Sequence, residues 1–220
     1  MKILCISDEI ASVIYSNLIK ERFSDIDFVL AAGDLPLDYL EFIVSTLNKP
    51  LLFVFGNHNL GDFHFYKKGG YAPFELNLPK YFSAGGAGAI HIGSKVVKEE
   101  QLIFAGLGGS MRYNNGENQF TNLKMKFEMV KIIPRLFWNK FRYGRYLDIL
   151  LTHAPPKGIH DKEDICHRGF SEFLWFMRFF KPKYLVHGHI HLFDNYTERK
   201  TRYYTTQVVN AFNHCIIEID

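Results

Sequence analysis

Three histidines stand at alternate positions in His187-Gly188-His189-Ile190-His191, directly after the apolar run Tyr184-Leu185-Val186. A buried strand ending there releases imidazoles into a loop, and strand ends are where α/β folds place their chemistry. Four other apolar runs end in polar residues in the same way. Lys2 to Ser7 leads into Asp8, Phe28 to Ala32 into Gly33-Asp34, Leu51 to Phe55 into Gly56-Asn57-His58-Asn59, and Leu147 to Leu151 into Thr152-His153-Ala154-Pro155-Pro156. Carboxylate, amide oxygen and imidazole together form a mixed donor set. Such a set suits manganese, iron, zinc or nickel rather than magnesium or calcium alone. Histidines two apart in a turn can converge on neighbouring ions. His187, ahead of the glycine, reads as a packed or supporting residue rather than a ligand.

The elements that must position these residues follow from periodicity. Val13, Ile14, Leu18 and Ile19 have helical spacing within residues 12 to 22, and Pro36 starts a helix through about Leu47. The first sixty residues therefore describe a βαβαβ layer. From Gly61 to Gly88 the pattern loosens into glycine, proline and aromatics, an irregular excursion over the site. Ile90 to Val97 and Gln101 to Ala105 are expected as a pair of strands, followed by a glycine-rich turn from Gly106. Thr121 caps a long amphipathic helix to roughly Asn139, with a kink expected at Pro134. Ser171 to Phe180 reads as a further helix, and the tail from Tyr196 to Ile219 as two or three antiparallel strands. The two halves share a strand, helix, strand rhythm. The expected fold class is α/β, a sandwich of two facing mixed sheets flanked by helices.

A chain of 220 residues with 47% hydrophobic and 22% charged residues is read as one domain over 1 to 220 with a core of its own. The net charge of +3 is mild and its cations form no run, which argues against nucleic acid as a partner. Cys5, Cys166 and Cys215 share no ligand spacing, so neither a disulfide framework nor a zinc knuckle follows. The chain starts straight into a strand, without a long apolar segment. A cytoplasmic protein with no membrane partner is expected.

The order Asp, Gly-Asp, Gly-Asn-His, Thr-His and Gly-His-x-His, spaced by βα units, resembles the calcineurin-like metallophosphoesterase superfamily from Asp8 to His191. The resemblance implies two divalent ions and a sandwich of that type. Asp34 would bridge the ions, Asp8 and His191 would hold the first with it, and Asn57, His153 and His189 would complete the second. Such a pair activates water for attack on phosphorus and steadies the phosphoryl oxygens. His58 would then protonate the leaving oxygen. Two departures stand out. Ile10 occupies the place where the first motif usually has a histidine, so the first ion should be weakly or partly held, with water or Glu9 in that place. Asp38 comes one residue late in the second motif, and Asn59 replaces the acidic residue common after His58, which leaves the partner that orients His58 open.

Arg112, His160, His167 and Arg168 are weaker candidates for touching a small phosphorylated substrate, a nucleotide among the options. Phe63, Phe65, Tyr66 and Tyr71 read first as core packing, and only second as a roof over a ring. The expected activity is phosphate mono- or diester hydrolysis. The rival is a degenerate, non-catalytic metal- or nucleotide-binding protein that acts through a partner.

Overall fold

Alternation of side chains along buried strands decides this architecture, because successive residues of a strand face opposite sides of its sheet. The computed structural model describes residues 1–61, 63–67, 88–193 and 197–219, without the side chains of Phe65 and Lys67. In chain order, β1 (Lys2–Ser7) is followed by α1 (Ile19–Arg22), β2 (Phe28–Ala31), α2 (Leu37–Leu47), β3 (Leu51–Phe53) and α3 (Phe63–Lys67). Then come β4 (Ala89–His91), β5 (Lys95–Glu99), β6 (Leu102–Leu107), β7 (Ser110–Met111) and β8 (Gln119–Phe120). The rest comprises α4 (Asn122–Tyr143), β9 (Ile149–Thr152), α5 (Ser171–Phe180), β10 (Tyr184–His187), β11 (Lys200–Tyr203), β12 (Thr206–Asn210) and β13 (Asn213–Glu218).

One sheet has the order β13-β1-β2-β3-β4, and β1 to β4 run parallel with β13 antiparallel at the edge. The other has the order β11-β12-β10-β9-β6-β5, with a parallel centre and antiparallel edges. Both are mixed, as expected. Ile3, Cys5, Phe28, Leu30 and Leu52 of the first sheet face Phe104, Ile149, Leu151, Val186 and Val209 of the second. The rings of Phe28 and Phe104 meet across this interface at 5.7 Å. Leu4, Ile6, Val29 and Ala31 point the other way, onto Ile19, Leu40 and Ile43. On the second sheet Ile103, Ala105, Leu150 and Leu185 take the outer face, under Met129 and Leu136 of α4 and Phe173 and Phe176 of α5. Each such Val, Leu, Ile, Phe or Met side chain contributes about 1.5–3 kcal/mol on burial, and a slip of one residue in a strand would turn all of its side chains to the wrong layer.

Three elements differ from the sequence reading. Residues 12 to 18 form turns rather than helix, and only Ile19–Arg22 is helical. The Ser16 hydroxyl donates to the Val13 carbonyl (3.1 Å), the local competition by which serine disfavours a continuous helix. Ile90 to Val97 is two strands in different sheets, β4 in the first and β5 in the second. The chain changes sheet at Ser94, which has φ 54 and whose N–H donates to the Gly106 carbonyl. In the tail, β12 lies antiparallel to β11 but parallel to β10, and β13 crosses to the first sheet. Helix α4 is capped as expected by Thr121, whose hydroxyl accepts from Lys124 N (3.3 Å), and continues past Pro134 to Tyr143.

Most of the excursion expected between Gly61 and Gly88 lies outside the described residues, Tyr71 included, as does Tyr196. Of the four aromatics there, Phe63 is buried and Tyr66 packs against Phe53 and Phe55. No helix among the described residues is long and apolar enough to cross a membrane.

Candidate metal centre

Both sheets contribute to one cleft at the carboxyl ends of their strands. Asp8, Asp34, Asn57 and His58 follow β1, β2 and β3, whereas His153, His189 and His191 follow β9 and β10. Asp8 (φ 64), Asp34 (φ 57) and His189 (φ 67) sit in the left-handed region. Each costs on the order of 1–3 kcal/mol there, and backbone donors from neighbouring loops hold them. His189 N donates to both carboxylate oxygens of Asp8 (3.1 and 2.9 Å), and His58 N donates to Asp34 Oδ1 (2.7 Å). Two glycines permit this interlocking. A Cβ at Gly56 would overlap the Asp34 carboxylate and His153 Cε1, and one at Gly188 would fall 2.5 Å from Asp8 Oδ2.

The donor atoms of Asp34, His153 and His189 lie within 4.8 Å of one another, all buried. His153 Nε2 is 3.3 Å from Asp34 Oδ2 and 3.1 Å from Asn57 Oδ1, so the amide oxygen joins the cluster. His153 Nδ1 donates to the Ala32 carbonyl (2.8 Å), which turns Nε2 into the cleft. His189 Nε2 donates to the Cys166 carbonyl (2.7 Å), leaving Nδ1 as its acceptor.

Charge at the cluster calls for a cation. Burial alone would push the His153 imidazole down, but the carboxylates of Asp34 and Asp8 outweigh it and hold the group at about 9. Burial likewise opposes ionisation of Asp34, yet His153 and the His58 N–H keep it well below the usual carboxylate range. His189 is pushed down to about 4, first by burial and then by His153, and stays neutral. A carboxylate, an amide oxygen and two imidazoles fit a divalent ion of the harder transition series, and the negative charge that draws a proton onto His153 would be met by such an ion.

The other half of the cleft is looser. His191 Nε2 lies 3.7 Å from Asp8 Oδ1, its ring is stacked on Phe212 (4.8 Å), and about half of its side chain is exposed. Asp8 raises the imidazole of His191, whereas the Asp8 carboxyl, although buried, is held low by His191 and His153. Ile10 is exposed, and the Glu9 carboxylate accepts from Asn213 Nδ2 (3.1 Å). Asp38 lies exposed in the first turn of α2 and accepts from Tyr39 N (3.0 Å). Asn59 Nδ2 donates to the Asp34 carbonyl (2.9 Å), so this residue braces the Asp34 turn.

Among the weaker candidates, His167 comes closest to the cluster. Its ring lies 5.5 Å from that of His189, and Asp164 holds its Nδ1 (2.8 Å). His160 is engaged elsewhere, with Nδ1 donating to His187 Nε2 (2.9 Å) and Nε2 accepting from Thr201 (2.9 Å). Buried His187 is therefore a supporting residue, pushed down to about 3 by burial. Arg112 donates to Asn114 O and Asn115 Oδ1, and Arg168 to Glu163 O. Neither arginine is brought to the cluster by a contact among the described residues.

Sequence reasoning missed Tyr113, whose hydroxyl accepts from Asn57 Nδ2 (3.1 Å) and so turns Asn57 Oδ1 toward His153. It also missed Asn118, which donates to the carbonyls of Phe55 and Gly56 (3.2 and 2.7 Å) and secures the turn that carries Asn57. The dense polar run Asn114-Asn115-Gly116-Glu117-Asn118-Gln119 was the available signal.

Two facing mixed sheets with an oxygen and nitrogen donor cluster at one rim define an α/β sandwich that carries a candidate metal site. The family model described as calcineurin-like phosphoesterase matches residues 1–193, and the chain belongs to that family. This membership supports a metal-dependent phosphoesterase in general. Among solved structures, one crystal structure aligns with a TM-score of 0.66 at 12% identity, covering 98% of this chain and 94% of that one. The protein TT1561 of Thermus thermophilus aligns with a TM-score of 0.60 at 13% identity, covering 96% and 89% respectively. These likenesses bear on the fold alone. No curated protein matches the chain.

Proposed function

We propose that the chain hydrolyses a phosphate mono- or diester of a small molecule, with one divalent ion held by Asp34, Asn57, His153 and His189. A second, more weakly held ion would share Asp34 with Asp8 and His191. The observation that carries this reading is the meeting of Asp34, Asn57, His153 and His189 from opposite sheets at one buried point. Bound ions would supply Lewis acidity, lowering the pKa of an attacking water and neutralising charge on the phosphoryl oxygens.

The chain's own residues do the rest. Asp34 fixes the His58 backbone (2.7 Å) beside the cluster, and the His58 side chain is exposed to an incoming substrate. There it would hand a proton to the leaving oxygen. Neutral His189 and the inward Nε2 of His153 offer lone pairs rather than protons once a cation replaces the proton on His153. His167, with Nδ1–H donating to Asp164, would present Nε2 as an acceptor to a substrate hydroxyl.

The test strips metal with a chelator and follows an aryl phosphate mono- or diester as manganese is returned. Hydrolysis should reappear, and His58→Ala should lower turnover by about 10²–10⁴ while still binding manganese. Failure of every divalent ion across mono- and diesters would replace this reading with the non-catalytic one, which the exposed Ile10 favours.

A further inference from the structure

Helix α4 has two apolar faces, although the fold uses only one. Met125, Met129, Ile132 and Leu136 pack inward on the second sheet. The opposite side carries Leu123, Phe127, Val130, Phe137, Trp138 and Phe141, 48–82% exposed and separated by three, four or seven residues apart from the adjacent pair Phe137-Trp138. On an ideal helix such spacing is a continuous stripe. The stripe extends onto α5, where Phe179 lies 6.3 Å from Phe137 and stacks on half-exposed Trp175 (5.5 Å, 15°). Both tryptophans of the chain lie on this face. A contiguous patch of large aromatic side chains marks an interaction surface, whereas scattered exposed residues do not.

The flanks of the stripe indicate the partner. Within α4 stand Lys124, Lys126, Lys131, Arg135, Lys140 and Arg142, against Glu128 as the one acidic residue. Glu128 is paired with Lys131 (2.6 Å), and Lys126 reaches Glu172 of α5 (3.6 Å). Four cations on this helix have no carboxylate partner among the described residues. A second copy of the chain would bring the same cations to a symmetric contact, like facing like. An anionic lipid surface brings the opposite charge together with an apolar layer for the aromatics.

We propose that α4, with the exposed edge of α5, lies flat in the interfacial zone of an anionic lipid bilayer. The stripe enters the acyl boundary, and the flanking lysines and arginines pair with lipid phosphates. The sequence expectation of no membrane partner rested on the want of a spanning segment, and a helix lying in the plane needs none. The inference is independent of the phosphoesterase reading.

The full chain is tested against vesicles of phosphatidylcholine alone and of phosphatidylcholine with about one third phosphatidylglycerol. Cosedimentation should be at least about tenfold stronger with the anionic vesicles and weaken as salt is raised, with a blue shift of tryptophan emission. Phe127→Ser with Phe141→Ser, and separately Lys140→Glu with Arg142→Glu, should each lower binding about tenfold. All four positions are exposed, so circular dichroism should be unchanged. No partition onto either vesicle overturns the proposal, as does partition that ignores lipid charge and both variants. A dimer in buffer that the paired serine substitutions convert to monomer, without vesicle binding, overturns it in favour of a second copy.

Discussion

Replacing Tyr113 by phenylalanine removes one oxygen at the centre's edge and should weaken metal binding by a calculable amount. In the native chain Asn57 donates from Nδ2 to Tyr113 and directs Oδ1 toward His153, both at 3.1 Å. Without the hydroxyl the amide loses one hydrogen bond, worth about 0.5–1.5 kcal/mol net, and the reason to keep Oδ1 inward. At room temperature that range is about 2- to 13-fold in affinity, with a centre near fivefold. Asn57→Ala instead deletes the donor oxygen and should exceed about a hundredfold, the upper range for residues that only orient a ligand. Competition between the protein and a fluorescent chelator for manganese measures both. An unchanged affinity in Tyr113→Phe, or a loss as large as that of Asn57→Ala, would refute the claim that Tyr113 acts through the orientation of Asn57.

Two further predictions concern the same cleft. Ile10→His should restore a donor beside Asp8, raising tightly bound manganese from about one equivalent toward two; elemental analysis after gel filtration gives the count, and an unchanged stoichiometry would show that Ile10 is not what weakens the first position. In metal-free protein His153 is held at about 9, above its ordinary value of 6.5. Its contribution to stability is therefore complete below that ordinary value and is lost as pH rises through about 9. Thermal melts in chelator should fall across this window, and His153→Gln should flatten the fall; a His153→Gln profile parallel to the native one would remove His153 as the cause.

The layers were legible because strand residues must alternate between two buried faces, and Ile3, Leu4, Cys5 and Ile6 already supply both. The strand ends were legible for the same reason, since Asp8, Asp34, Asn57 and His153 each break an apolar run. Residues 12 to 18 were misread because their apolar spacing satisfies a helix, while the Ser16 hydrogen bond that favours turns leaves no periodic trace. The move of the chain between sheets at Ser94 was hidden because local pattern does not record which sheet a strand joins. The polar run after Tyr113 marked its neighbourhood, but the partner of its hydroxyl, like those of the carbonyls of Ala32 and Cys166, was hidden for a related reason. Each acts on a ligand distant in sequence, and a backbone carbonyl carries no residue identity.

Since the ligand set draws on loops from both layers, the cleft works like the open rim of a clamshell with half of a clasp on each shell. An ion gripped by Asp34 and Asn57 on one side and by His153 and His189 on the other would fasten that clasp. A substitution in the core between the sheets that lets the shells gape by even an ångström would then register first as a lost ion, well before the protein unfolds.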